Sequence, residues 1–297
     1  MWSPFHPLLS LAGGILGHFQ QPLNTSYSVR RIIPYIEFAR AAYCKPSKIT
    51  EWHCGDACNA IPGFVPTLTG GDGDATQFFY VGFWPAQSAV VVAHQGTDPL
   101  ELMSVLTDAN IAFMEPEPTL FPDLPSGIKV HSGFALEHEK TAQQILAEVR
   151  RLMAEHSSTH VILIGHSLGG ALAELDALFL KLNLPANANI RGVTFGTPRV
   201  GNRDWATFFD SHIAEFTRMN NKRDVVPIVP GRFLGFRHPE GEIHIEPNGH
   251  AVACPGADDG TDPQCSDLMV PDIGDGNIID HLGPYHGIFI GTTFCTP

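Results

Sequence analysis

The chain has 297 residues, 43% hydrophobic and 16% charged, enough apolar material for a sizeable core and too much for global disorder. Its formal net charge of −13 repels phosphate backbones and offers anionic headgroups no attraction, which argues against nucleic-acid binding and against electrostatic membrane attachment. No apolar run reaches the roughly 20 residues that cross a bilayer, so no transmembrane helix is expected. In chain order, Pro7 to Leu16 resembles the apolar core of a secretory signal, although no Lys or Arg precedes it and no Ala-x-Ala site follows. Ile32 to Tyr43 carries Ile32, Ile36, Ala39 and Tyr43 along one helical face. Gln77 to Trp84 and Ser88 to His94 read as two strands joined by a Pro-Ala-Gln turn. Over 136–153, Ala142, Ile145, Leu146, Val149, Leu152 and Met153 keep helical spacing. Val161 to Ile164 is a continuous apolar run, as in a strand covered on both faces. Leu168, Leu172, Leu175, Phe179 and Leu182 then form the stripe of another helix, and Arg191 to Phe195 and Asp224 to Val229 read as short strands or strand ends. Strands alternating with helices predict a largely parallel sheet with helices on both faces. Residues 231–276 are rich in Gly, Pro and Asp and read as loops pinned by Cys254 and Cys265. Apolar structure returns over Ile278 to Phe294, so one domain over 1–297 is expected rather than two.

Six cysteines allow fifteen pairings, and sequence alone does not choose among them. Cys54-Gly-Asp-Ala-Cys58 has the form of a short loop that closes on itself. Asn24-Thr-Ser26 is the only Asn-x-Ser/Thr sequon. Cysteine number and sequon favour an oxidising, secreted setting.

The chemistry centres on Gly165-His-Ser167-Leu-Gly169, a Gly-x-Ser-x-Gly set between a strand and a helix. In so tight a turn, side chains two residues either side of the serine collide with backbone, and glycine removes the collision. The turn holds Ser167 Oγ out at the carboxyl end of the strand, above the unpaired N–H groups of a helix N-terminus. The same five letters also suit a glycine-rich turn with an N-capping serine. The flanking strand, the helical stripe and Gly170 favour a nucleophile. A serine hydroxyl needs a base, an orienting acid and an anion site, in the chain order serine, acid, histidine for this kind of elbow. Of His212, His238, His244, His250, His281 and His286, His281 stands just before the last apolar segment and is favoured, with His286 as its rival. The remaining four read as solvated loop histidines. Asp224 is the favoured acid, because Val225, Val226 and Ile228 put it at the edge of a buried element; an ion pair with Lys222 or Arg223 is its bland reading. Asp272 and Asp280 compete for the role. The anion site takes the Leu168 N–H and Thr97, where Gly96 allows close approach; a turn capped by Thr97 is the alternative. His94 reads as a strand-end histidine. This mechanism implies no metal or organic cofactor.

Gly-His-Ser-Leu-Gly-Gly170, Phe195-Gly-Thr-Pro-Arg-Val-Gly-Asn202, Asp224 before Val-Val-Pro, and Asp280-His281 together resemble the secreted fungal class 3 lipases. Ala93-His-Gln-Gly-Thr-Asp98 and Val229 to Phe236 are similar to the basidiomycete lipase and feruloyl esterase branch. The resemblance runs from about Ile32 to Cys295. It implies an α/β-hydrolase fold with a lid after the oxyanion strand, and Ser167, Asp224 and His281 as a triad with Thr97 and Leu168 at the oxyanion hole. It also implies disulfides Cys44–Cys295, Cys54–Cys58 and Cys254–Cys265. Gly283-Pro-Tyr-His-Gly287 departs from the aromatic residue that many members place just after the histidine, which keeps His286 as the alternative. The lid falls within 98–115, with Leu100, Leu102, Met103, Val105 and Leu106 as its apolar contacts and Glu101 and Ser104 pointing away. Residues 1–30 form an N-terminal extension, with Asn24 a glycosylation site.

The expected activity is hydrolysis of acylglycerol esters by a secreted, monomeric enzyme, at a lipid–water interface. A feruloyl esterase sharing the architecture is the first alternative. A non-catalytic lipid- or glycan-binding module is the second, and it predicts a missing triad member, whereas this chain keeps all three.

Overall fold

A computed structural model describes residues 25–107, 112–258 and 260–292. Helix α1 spans Thr25–Ala41, ending two residues before Tyr43. Strands β1 (Val65–Gly70), β2 (Phe79–Trp84) and β3 (Ala89–His94) follow, with Pro85–Gln87 turning the chain between the last two. Helices α2 (Pro99–Thr107), α3 (Ser132–Glu139) and α4 (Ala142–Glu155) come next. Then β4 (His160–His166), α5 (Leu168–Asn183), β5 (Asn189–Phe195), α6 (Arg203–His212) and β6 (Glu215–Asn221) alternate. Strands β7 (Glu242–Ile245) and β8 (Ala251–Ala253) and the short helix α7 (Ile278–His281) complete the main elements.

The eight strands lie side by side in chain order. β3 to β7 run parallel, while β1–β2–β3 and β7–β8 pair antiparallel, giving a mixed sheet. Parallel neighbours need a long crossover, which α5 and α6 supply. Side chains alternate between faces with a period of two. Val161 and Leu163 therefore join the core beneath α4 to α6, while Ile162 and Ile164 join the core beneath α1. With both faces covered, the strand is apolar throughout, as its sequence indicates. Register sets His94 beside Gly165 and His166 beside Phe195, so the carboxyl ends of β3, β4 and β5 open on one edge. Loops at that edge are where ligands meet parallel sheets.

Three expectations need correction. The segment 136–153 spans two helices, because the chain turns at Lys140–Thr141 and Thr141 O accepts the Ile145 N–H that starts α4; the apolar stripe from Ala142 to Met153 lies wholly on α4. Asp224 to Val229 is not a strand: β6 ends at Asn221, and Val226–Ile228 forms a 3-10 turn. The region 231–276 is not simply loop, since it contributes β7 to the main sheet, paired parallel with β6. Cys54–Cys58 and Cys254–Cys265 are disulfides. Cys44 is disulfide-bonded, while Cys295 and Asn24 lie outside the described residues.

Candidate active site

Ser167 caps α5 with φ 61° and ψ −130°, a backbone that a non-glycine residue keeps only when its surroundings over-determine it. The constraint is visible: the Ser167 N–H donates to Phe195 O at 2.9 Å, and a Cβ on Gly165 would collide with the Gly169 carbonyl. Ser167 is fully buried, and its Oγ has no hydrogen-bond partner among the described residues.

Asp224 leaves the sheet three residues after β6 and is buried. Its Oδ1 accepts the Val226 N–H at 2.9 Å, and its Oδ2 accepts from His281 Nδ1 at 2.9 Å. A carboxylate at Nδ1 fixes the proton there and leaves Nε2 as the free lone pair, the form a general base needs. His281 is fully buried and its Nε2 is also unpartnered. Thus Asp224 and His281 are joined, whereas Ser167 Oγ and His281 Nε2 are not hydrogen-bonded in this closed arrangement. Such contacts often tighten only when substrate binds. His286 is half-buried and has no carboxylate partner among the described residues. Asp280 Oδ2 faces the Arg223 N–H, and Asp272 Oδ1 caps Gly274, so neither competitor reaches His281.

On the other side, Gly96 presses against the nucleophile: a Cβ there would lie 2.7 Å from Ser167 Cβ. Thr97 follows, half-buried, with its Oγ1 donating to Glu101 at 3.5 Å. The Leu168 N–H belongs to the first turn of α5, where no intrahelical acceptor exists.

Pattern reading missed a network behind the base. Tyr43 Oη accepts the Gly96 N–H and donates to His166 Nδ1 at 2.6 Å. Burial, with the nearby His281, pushes His166 well below the usual imidazole range and so keeps it neutral. Its Nε2–H donates to His281 O at 2.8 Å, where Tyr285 Oη donates as well, at 3.2 Å. The sequence showed Tyr43 only as the end of an apolar stripe and His166 only as the variable letter of the motif. His238 and His244, expected to be solvated, are buried and bonded to backbone carbonyls. Glu242, Cys254 and Cys265 have ligand-like spacing, but the two sulfurs are bonded to each other and are not the thiolates a metal takes.

Helix α2 packs against α7, which carries His281. Leu102 and Leu106 point inward, at 3% and 1% exposure, while Leu100 is 70% exposed, Met103 is half-buried and Glu101 and Ser104 are exposed. The side chain of Val105 lies outside the described set, as do residues 108–111. The far end of α2 borders a cavity of about 710 Å³ whose wall includes Leu106, Ile228, Val229, Phe233, Leu234 and Val270.

Comparison with known proteins is consistent along most of the chain. The family model for lipase (class 3) matches residues 91–234. A secreted mono- and diacylglycerol lipase of Malassezia restricta is similar at 32% identity over 231 residues, covering 75% of this chain and 71% of that protein. The solved structure of lipase II from Rhizopus niveus is similar with a TM-score of 0.78 and 28% identity, covering 93% of this chain and 99% of that one. A triacylglycerol lipase whose catalytic centre is formed by a serine protease triad is similar with a TM-score of 0.75 and 26% identity, covering 91% and 98%.

Proposed function

This chain belongs to the class 3 lipase family of ester hydrolases, and from that premise we propose that Ser167, His281 and Asp224 hydrolyse acylglycerol esters through an acyl-enzyme. The observation that most supports the reading is the buried Asp224–His281 hydrogen bond, with the His281 ring centroid 4.4 Å from that of His166, the residue before a strained serine whose Oγ has no partner among the described residues. His281 Nε2 takes the Ser167 proton as Oγ attacks the ester carbonyl. Asp224 holds the ring and stabilises its cation. The oxyanion is received by N–H groups at Leu168 and Thr97, each such donor typically contributing about 10²–10³ in rate. The imidazolium gives its proton to the leaving alcohol; water, deprotonated by the same nitrogen, then releases the acid.

The cavity beside α2, with a mainly apolar wall that also carries Arg232, Asp267 and Asp272, takes the acyl chain. Because Ser167 and His281 are both fully buried, α2 acts as a lid that must move before a lipid enters. Disulfides at Cys54–Cys58 and Cys254–Cys265 and relatives named as secreted support an extracellular enzyme; no helix among the described residues is long and apolar enough to cross a membrane. Ser167→Ala is expected to abolish release of fatty acid from emulsified mono- and diacylglycerol while the folded circular-dichroism spectrum is kept. Retained hydrolysis overturns the assignment. Turnover of methyl ferulate in preference to the glycerides overturns the substrate class.

A further inference from the structure

We propose that Asp176 is a positioning residue which, through His94, ties the loop carrying Thr97 to the same helix that presents Ser167 and the Leu168 N–H. The inference rests on the oxyanion reading above. Asp176 lies on α5, fully buried, and its carboxylate is held between two imidazoles: Oδ2 by His94 Nε2 at 2.6 Å, Oδ1 by His138 Nε2 at 3.0 Å. No Lys or Arg pairs with it among the described residues. Burial, the largest single influence, pushes this carboxyl upward; the hydrogen bonds from His138 and His94 together with their electrostatic attraction outweigh it and hold it at about 2. Apolar side chains commonly fill such a core at no loss of stability, so a buried charged cluster is weak evidence for a stabilising role.

The position of His94 supplies another role. It is the last residue of β3, where the chain leaves the sheet toward Gly96 and Thr97. Helix α5 grips this strand end twice. In its first turn the backbone at Gly169 packs on the His94 carbonyl, leaving no room for a Cβ, and two turns later Asp176 holds the His94 ring. From the opposite side, Gln95 N–H donates to Phe78 O at 2.8 Å and Gln95 Oε1 accepts the Phe78 N–H at 2.9 Å. The loop therefore departs from a point referenced to α5, so both donors of the oxyanion hole are set by one rigid element. The other arm of the cluster, His138, sits on α3 and touches no part of that loop through the carboxylate.

This asymmetry gives the test. A serine-reactive phosphonate counts folded sites, and kcat and KM are measured per titrated site on a soluble p-nitrophenyl ester. Asp176→Asn and His94→Phe are expected to lower kcat about 10–100-fold with KM within about threefold, the scale of a small misplacement of a reacting group. His94→Gln, whose amide can still donate to Asp176, should recover most of that loss. His138→Phe lowers the melting temperature but keeps kcat within about threefold. Unchanged kcat in the first two variants, or an equal loss in His138→Phe, is the pattern of a core contact and overturns the proposal. Failure of the unmodified enzyme to react at Ser167 with the phosphonate strikes the oxyanion reading itself, and so is distinguishable.

Discussion

Gly196 shows how closely single residues set the site. It has φ +54°, and a Cβ there would lie 2.7 Å from His281 Nδ1 and 2.8 Å from Asp224 Oδ2. Gly196→Ala therefore wedges a methyl against the acid–base pair and also strains the backbone. A displacement on the scale of 1 Å typically costs about 10² in rate, so kcat on a soluble ester should fall by about that factor. A variant with unchanged kcat removes the role assigned to the Asp224–His281 bond. Ser167, Asp224 and His281 could all be singled out as candidates from sequence, because each adjoins an apolar run. The choice between His281 and His286 was positional in the sequence; in space it turns on which ring meets Asp224. Tyr43, His166 and Tyr285 were illegible, since a buried ring looks the same in sequence whether it fills a core or makes a hydrogen bond.

Among elements, α2 has the most direct consequence for activity. Its inward Leu102 and Leu106 pack into the core, and it touches α7, which carries His281. Truncating a buried leucine removes about 2–5 kcal/mol of packing, here from the closed position more than from the open one. Leu102→Ala is expected to raise hydrolysis of p-nitrophenyl butyrate below its solubility limit several-fold, and to shrink the jump seen when an emulsion forms. Identical rate profiles for the variant and the parent enzyme argue against a lid. The segment around Cys254–Cys265 has a different task. Arg199, in the turn after β5, pairs with Asp258 and Asp267, tying this stretch to that turn. Replacing both cysteines by alanine opens a loop with a separation of 11 residues, worth about 3 kcal/mol in the chain-entropy model. A lower denaturant midpoint with little change in kcat is the expected result. The reading of this region as loop passed over β7: Glu242 to Ile245 alternate polar and apolar residues, but over only four positions within a Gly- and Pro-rich stretch, and the edge of β6 makes them a strand.

For the whole molecule, buried ionisable groups set how stability follows pH. Burial, opposed in part by the Trp205 hydrogen bond, raises Glu174 to about 8. A carboxyl with a raised folded pKa adds stability that is fully present below its unfolded value, near 4.5, and is lost as pH rises through about 8. His131, His166 and His238 are shifted down by burial, so they oppose stability only as pH falls below the usual imidazole range. Between about pH 7 and 8 the Glu174 slope therefore stands largely clear of the histidines and of Asp267, which burial raises to about 7, at no more than about 1.4 kcal/mol per pH unit. Denaturant midpoints should fall across that window, and Glu174→Gln should flatten the fall; an unaltered slope removes Glu174 as its source. The amino-acid order alone determined which segments are strands or helices with strong periodicity, the elbow serine, and the absence of a membrane-spanning run, because these depend on neighbours within a few residues. Only the folded chain decided which histidine meets which carboxylate, how β7 joins the sheet, and that Asp176 lies between His94 and His138. The side-chain contacts join residues 38 to 82 positions apart, and packing in three dimensions, rather than local spacing, brings them together.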